Sequence, residues 1–343
     1  MKRFLSIFVF GAVLASMAFT QSDLQPVAIV RLTKSEPITV KQFRTEVENL
    51  EKQTRRTLSD SERREVLDAM INQRLILQAA ERDRVTVSEN EVNEQVKELR
   101  GNASERDFAI AIKEETGLDL PAFREQLRKT LLAQKYLGEK KKDLFTSLKE
   151  PAEEEIVSNY NLNRTEFVRP ETVRFSIISV PFTPNNAASR AKAKADADKL
   201  AQTIGSDTAK FDEAMVKGQS PTALTALGYT GGDGGYLPRN RQAQQMVGTE
   251  FMNVAFALKQ GEVSKVIENV RGYQIIKITE TYEQKSLGLD DIVQLGTRMT
   301  VREYIRRSLL QQSQNVLLDR ASKELITELR EGNPYQIMEA NIK

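Results

Sequence analysis

The sequence contains no cysteine, no histidine and no tryptophan among its 343 residues. Without cysteine there can be no disulfide, no thiolate nucleophile and no cysteine-ligated zinc or iron–sulfur site. Without histidine there can be neither a Ser-His-Asp triad nor an imidazole metal ligand. The remaining options are carboxylate, lysine, hydroxyl and backbone chemistry, or binding without bond-making. We therefore expect no metal and no cofactor.

An excess of charge of either sign is also missing, since 50 Lys and Arg face 48 Asp and Glu. Proteins that bind nucleic acid by general electrostatic attraction need a clustered excess of basic residues. We therefore expect no nucleic-acid partner. The length suggests about two domains, at roughly 150 residues per domain.

The amino-terminal sequence has the pattern of a secretion signal. The chain begins Met-Lys-Arg, and an apolar run then extends from Phe4 to Phe19, with small residues at Ser16 and Ala18. This pattern predicts a signal peptide cleaved after Ala18. The alternative is a retained membrane anchor, but the run is shorter than the ~20 residues of a spanning helix. We expect a periplasmic protein with no membrane span after cleavage.

The first 150 residues are dominated by helix signals. Capping-box spacings predict three helix starts, at Thr39 with Gln42, Ser59 with Glu62 and Ser88 with Glu91. The stretch from Val66 to Ala80 is apolar nearly all round, which predicts a buried central helix. Pro121 fits the first turn of a further helix. A short strand is expected over 26–32, because the segment is rich in β-branched residues.

The pattern changes at Pro151, which interrupts the helical sequence and predicts a domain boundary. Beyond it we expect a strand over 173–180, a helix over 187–204, a glycine-rich turn over 228–235 and a strand over 272–279. These elements predict a small α+β domain. From Leu289 onward the chain is again helical, and this long helix needs an apolar partner such as the amino-terminal helices.

Four blocks of the second region resemble a parvulin-type peptidyl-prolyl isomerase domain. They are Thr172–Val180, Gly231–Tyr236, Phe251–Ser264 and Arg271–Ile278, in that order. The first 150 residues resemble the helical amino-terminal domain of SurA-like and PrsA-like envelope chaperones, and 151–170 resembles their connector.

The resemblance implies an α+β protein in which a helical chaperone module is completed by a carboxy-terminal helix. A parvulin-like domain, a small antiparallel sheet with helices, is inserted into that module. The expected divisions are a signal peptide over 1–18, the helical domain over 19–150, the connector over 151–170, the parvulin-like domain over 171–283 and the returning helix over 284–343.

The resemblance also assigns candidate site residues. Ile177 and Gln274 occupy the positions where the family usually has histidines. Leu237, Met246 and Phe251 correspond to apolar residues of the family's proline pocket. The family's acidic or cysteine residue would fall within 220–225, which contains neither.

The resemblance implies a folding factor whose clients are unfolded or proline-containing polypeptides, such as outer-membrane or secreted proteins. Isomerisation makes no covalent bond to the enzyme, so loss of the histidines does not by itself abolish activity. It removes the hydrogen-bonded network of the pocket floor, and we expect a weakly active or inactive isomerase. The alternatives are an active prolyl isomerase and a structural or adhesion protein with a relict parvulin fold.

Overall fold

A computed structural model describes residues 23–342 of the chain. The predicted signal peptide, 1–18, lies outside the described residues. The chain divides into two compact units, one containing the described residues up to Lys149 together with those from Gln311 onward, and the other spanning Glu150–Leu310. Both units combine helices with small antiparallel sheets, which confirms the α+β class.

The elements are numbered in chain order. The helices are α1 (Val40–Thr54), α2 (Asp60–Arg82), α3 (Glu89–Arg100), α4 (Glu105–Thr116), α5 (Leu120–Lys140), α6 (Lys142–Thr146), α7 (Glu153–Leu162), α8 (Ala187–Ile204), α9 (Thr208–Lys217), α10 (Ala223–Leu227), α11 (Arg241–Val247), α12 (Thr249–Ala257) and α13 (Val301–Arg330). The strands are β1 (Pro26–Val30), β2 (Glu36–Thr39), β3 (Val168–Arg169), β4 (Thr172–Pro181), β5 (Thr230–Pro238), β6 (Ile267–Asn269), β7 (Gly272–Tyr282), β8 (Lys285–Ser286) and β9 (Tyr335–Ile337).

The first unit is centred on α2, as its apolar sequence predicts. Leu67, Ile71 and Leu75 are fully buried in a cluster that also contains Leu325 and Leu329 of α13. A three-stranded antiparallel sheet with the order β2-β1-β9 contributes to the same cluster. The carboxy-terminal helix therefore completes the core of the helical unit.

The predicted helix starts form as expected. Reciprocal capping boxes begin α1, α2 and α3, with Thr39, Ser59 and Ser88 as the capping residues. Each one satisfies backbone N–H groups that the first helical turn leaves without partners. Asp119 caps α5 by accepting a hydrogen bond of 2.9 Å from the backbone N–H of Ala122.

Helices α3, α4 and α5 share a second, smaller core. Its buried members are Val92, Phe108, Ile112, Leu118, Phe123 and Leu127. The rings of Phe108 and Phe123 meet edge to face with centroids 6.1 Å apart. This group of helices is called the α3–α5 cluster below.

The second unit contains a four-stranded antiparallel sheet with the order β5-β4-β7-β6. Helices α8 and α9 pack on one face of this sheet, and α11 and α12 supply the core on the other. A separate cluster joins Ile156 of α7 and Phe167 to Leu287, Val301 and Ile305. The start of α13 thus belongs to the core of the second unit.

The glycine-rich segment differs from the sequence expectation. Gly231–Gly235 does not form a turn but most of β5, paired along β4. The register shifts between Phe175 and Ser176, so that Gly234 is the extra residue of a β-bulge. Positive φ occurs only at Gly228 and Gly235 within 228–235.

None of the helices within residues 23–342 combines the length and the apolar character that crossing a bilayer requires.

Candidate functional site

The candidate site lies on the face of the four-stranded sheet that packs against α11 and α12. Val173, Phe175 and Ile177 of β4 point to this face, beside Ile276 and Ile278 of β7. The alternate residues of the same strands, such as Ile178 and Ile275, point to the opposite face. The two-residue period of a strand therefore decides which side chains can meet in the site.

The two positions that correspond to the family histidines lie on this face. Ile177 pairs with Ile276, and Gln274 pairs with Ser179, so Ile177 and Gln274 are two pairs apart on adjacent strands and share one face of the sheet. Both side chains are half-buried. The two residues are therefore diagonal neighbours on one face of the sheet, and their role in a site stays a prediction.

Gln274 is an unusual occupant of this position. Its side-chain Oε1 is buried and accepts no hydrogen bond from the residues that the structure describes. A buried polar atom without a partner costs about 1–3 kcal/mol. Neither an aliphatic nor an amide side chain titrates, so the pair cannot exchange a proton with a substrate.

The Phe175 ring packs in the same core as Leu237 and Phe251, two of the residues assigned to the proline pocket. Phe175 packs against the backbone of Gly234, and a Cβ at Gly234 would overlap that ring. The rings of Phe175 and Phe251 meet edge to face with centroids 5.4 Å apart, and both are buried. Phe175 therefore fills the space between the β5 bulge and α12.

The three pocket candidates have different environments. Phe251 is 2% exposed and Leu237 is 5% exposed, and both belong to the core beneath α11 and α12. Met246 is 78% exposed, so its assignment to a proline pocket is not supported by its position. Helix α11 directs Ala243 and Val247 toward the core, which leaves Met246 on the solvent side.

The carboxylate within the glycine-rich strand, Asp233, is engaged in an ion pair. Arg174 donates to Asp233 Oδ2 and to Glu280 Oε1, each at 2.8 Å. The Arg174 guanidinium, with the backbone N–H of Gly235, holds the pKa of Asp233 below its ordinary value. Asp233 is therefore ionised at neutral pH and is unsuited to donate a proton.

Sequence reasoning missed Phe175 and Arg174. The only signal for Phe175 was the coincidence of a bulky ring on β4 with a run containing four glycines on another segment. Glycine at Gly234 permits a close approach of the ring that any side chain would prevent. The segment 220–225 leads into α10 and contains no carboxylate or thiol.

Family models match both regions of the chain. Residues 151–294 match the model of the PPIC-type PPIase domain, and residues 2–137 match that of the SurA-like N-terminal domain.

Individual relatives and a solved structure are also similar to this chain. The foldase protein PrsA of Clostridium botulinum (strain Langeland) is 24% identical over 290 residues, which cover 82% of this chain and 75% of the relative. PrsA of Caldanaerobacter subterraneus is 28% identical over 212 residues, which cover 62% of this chain and 55% of that protein. A structure reported for two related SurA-like chaperones of Campylobacter jejuni covers 92% of this chain and 100% of its own, with 12% identity and a TM-score of 0.40.

A helical module with a parvulin-type sheet domain defines a class of two-domain protein-folding factors. The chain belongs to the SurA/PrsA-like family of foldases and chaperones that carry a parvulin-type peptidyl-prolyl isomerase domain.

Proposed function

We propose that this protein is a periplasmic folding factor that binds unfolded outer-membrane or secreted polypeptides, and that its parvulin-type domain is a weak or inactive isomerase. The packing of Phe175 carries the second part of this proposal. Membership of the SurA/PrsA-like family supports the first part. The domain limits expected from the sequence, with the isomerase-like domain over 171–283, are part of the proposal.

Prolyl isomerisation requires selective binding of a twisted amide. The barrier of ~18–20 kcal/mol arises from amide resonance, and a catalyst lowers it by gripping the proline ring and stabilising the twisted carbonyl. Here the Phe175 ring packs edge to face on Phe251, which supports the proposal that the space for a proline ring is reduced. Ile177 and Gln274 supply neither a charge nor a titrating group to the carbonyl. Both requirements for fast catalysis are therefore weakened.

The test measures cis/trans exchange and client protection on the same preparation. The mature chain, residues 19–343, is added to a short Xaa-Pro peptide, and exchange is followed by NMR. A parvulin that retains both histidines is the positive control. We expect exchange at or slightly above the uncatalysed rate, together with suppressed aggregation of a urea-denatured outer-membrane β-barrel protein.

Two outcomes contradict the proposal. Exchange as fast as in the histidine-containing control makes the protein an active prolyl isomerase, with Gln274 as the first residue to substitute. Slow exchange without any protection of the client favours a structural protein with a relict fold. The cellular part is tested by osmotic-shock fractionation, in which a released chain that begins at residue 19 is expected.

A further inference from the structure

A cleft of about 220 Å³ opens beside the apolar core of the α3–α5 cluster. Val96 of α3, Phe108 of α4 and Leu120 of α5 line it, and all three also pack on the core of these helices. The cleft is therefore an open extension of an apolar core, with one wall from each helix.

The rim of this cleft is predominantly cationic. Lys97, Arg100 and Arg124 line it, against the single carboxylate of Glu105. Arg124 already donates to Asn93 Oδ1 and lies 3.4 Å from Glu89 Oε2. Lys97 is mostly exposed, 3.8 Å from Glu94.

Arg100 differs from the other two cations. Its Nε is buried and lacks a hydrogen-bond acceptor, and within residues 23–342 its guanidinium forms no ion pair. A buried N–H of a guanidinium without an acceptor is costly, because its lost hydration is not replaced. A carboxylate bound at Arg100 can accept two charge-assisted hydrogen bonds from the terminal nitrogens of the guanidinium, in the geometry that this group favours.

We propose that this cleft binds the carboxy-terminal residue of an unfolded polypeptide, with its α-carboxylate on Arg100 and its apolar side chain on Val96, Phe108 and Leu120. The inference rests on the proposed function, because it concerns the kind of polypeptide end that a client presents. The charge of the rim selects an anion, and the apolar wall selects a hydrophobic group next to it.

The size of the cleft favours a single residue over a lipid chain. At about 220 Å³ it is smaller than the ~300–1,000 Å³ typical of small-molecule pockets. One aliphatic side chain with its carboxylate fits such a volume, whereas a long acyl chain would extend beyond it. A free chain end also needs no bend in the client in order to enter.

The test compares two peptides that differ only at their end. A hexapeptide labelled at its amino terminus and ending in leucine is prepared as the free acid and as the carboxy-terminal amide. Binding to the mature chain is measured by fluorescence anisotropy. We expect the amide to bind about 10- to 100-fold more weakly, the range for a lost charged hydrogen bond.

Variants of the protein locate the effect. Arg100→Gln is expected to bind the free acid about 10- to 100-fold more weakly than the parent does. Its affinity for the amide should be almost unchanged. Arg106→Gln is the matched control, because Arg106 is an exposed arginine of α4 that does not line the cleft. It is expected to change neither affinity by more than about twofold.

Several results would overturn the proposal: equal binding of acid and amide, equal losses in Arg100→Gln and Arg106→Gln, or no binding of the free acid at millimolar concentration. Displacement of both peptides by a long-chain fatty acid would assign the cleft to an amphiphile. Aggregation assays on the same preparation separate this proposal from the proposed function. If the protein suppresses aggregation but binds the acid and the amide equally, the proposed folding-factor function stands and the proposed site for the chain end is wrong.

Discussion

The candidate proline site and the cleft of the α3–α5 cluster differ in what fills them. On the sheet face, the Phe175 ring occupies the space between Gly234 and Phe251, and the neighbouring Arg174 is paired with two carboxylates. In the helical cleft, the space is open and Arg100 has no acceptor within residues 23–342. The difference is therefore between a closely packed apolar face and an open cleft that contains a guanidinium without an acceptor.

The largest expected effect tests whether Phe175 is core. Phe175→Ala removes a buried ring and leaves a cavity, so we expect the free energy of unfolding of the second unit to fall by about 3–5 kcal/mol. Hydrogen exchange of the β4 and α12 amides in the mature chain measures this locally. Val270→Ala, at a side chain 82% exposed in the same unit, is the control and should change little. A loss below 1 kcal/mol for Phe175→Ala would instead indicate a loosely held ring over a usable pocket.

The contact between Gly234 and Phe175 can be isolated by a second substitution. A Cβ at Gly234 would overlap the ring, so Gly234→Ala should destabilise the second unit by about 1–3 kcal/mol. Gly232→Ala is the matched control, since a Cβ there has no neighbour within 4 Å. In the Phe175→Ala background the cost of Gly234→Ala should largely vanish, because the two changes share one contact. Additive effects of the two substitutions would show that Gly234→Ala destabilises the bulge for a reason other than its contact with the Phe175 ring.

Local sequence patterns predicted the parts of the fold that are decided locally. The capping boxes at Thr39, Ser59 and Ser88 each satisfy a helix end within four residues, so the pattern alone predicts the helix start. The apolar segment over 66–80 likewise predicted the buried centre of the first unit, because a helix that is apolar nearly all round is stable only when other elements cover it.

The site was only partly predictable because its contacts join distant segments. The glycine run was expected to be a turn, but pairing with β4 makes it a strand, and only the bulge at Gly234 explains its composition. Met246 was assigned by sequence position, whereas the phase of α11 turns it to solvent. Arg100 has the sequence context of a solvated helical arginine, and only the folded structure shows that its Nε is buried.

A third prediction concerns a carboxylate in the same unit as the helical cleft. Glu46 of α1 has neither a hydrogen-bond nor an ion-pair partner in the described part of the chain, and burial raises its pKa from 4.5 to about 7. The folded state therefore binds this proton more tightly than the unfolded state. Stability from this group is fully present below pH 4.5 and declines as the pH rises to about 7.

Glu46→Gln should remove the free-energy cost of ionising this buried carboxylate. We expect the variant to be more stable than the parent at pH 8 by roughly 1–2 kcal/mol, a value reduced for partial solvent screening. The difference should shrink toward pH 4.5, as measured by urea unfolding at several pH values. Glu48→Gln, at an exposed position of the same helix, is the control and should show no such trend. Equal pH profiles for the parent and Glu46→Gln would mean that Glu46 is solvated in the folded protein.

The smallest expected effect concerns Met246. The resemblance assigns this residue to the proline pocket, whereas its position in the fold is exposed. Because its side chain is 78% exposed on α11, Met246→Ala should change the free energy of unfolding by less than about 0.5 kcal/mol. It should also leave the cis/trans exchange rate of an Xaa-Pro peptide unchanged, since the side chain lies outside the core that contains Phe251. Both quantities are measured on the mature chain beside Phe175→Ala. A clear fall in exchange rate for Met246→Ala at unchanged stability would place the proline-binding surface on the solvent side of α11, and the sheet face would no longer be the candidate site.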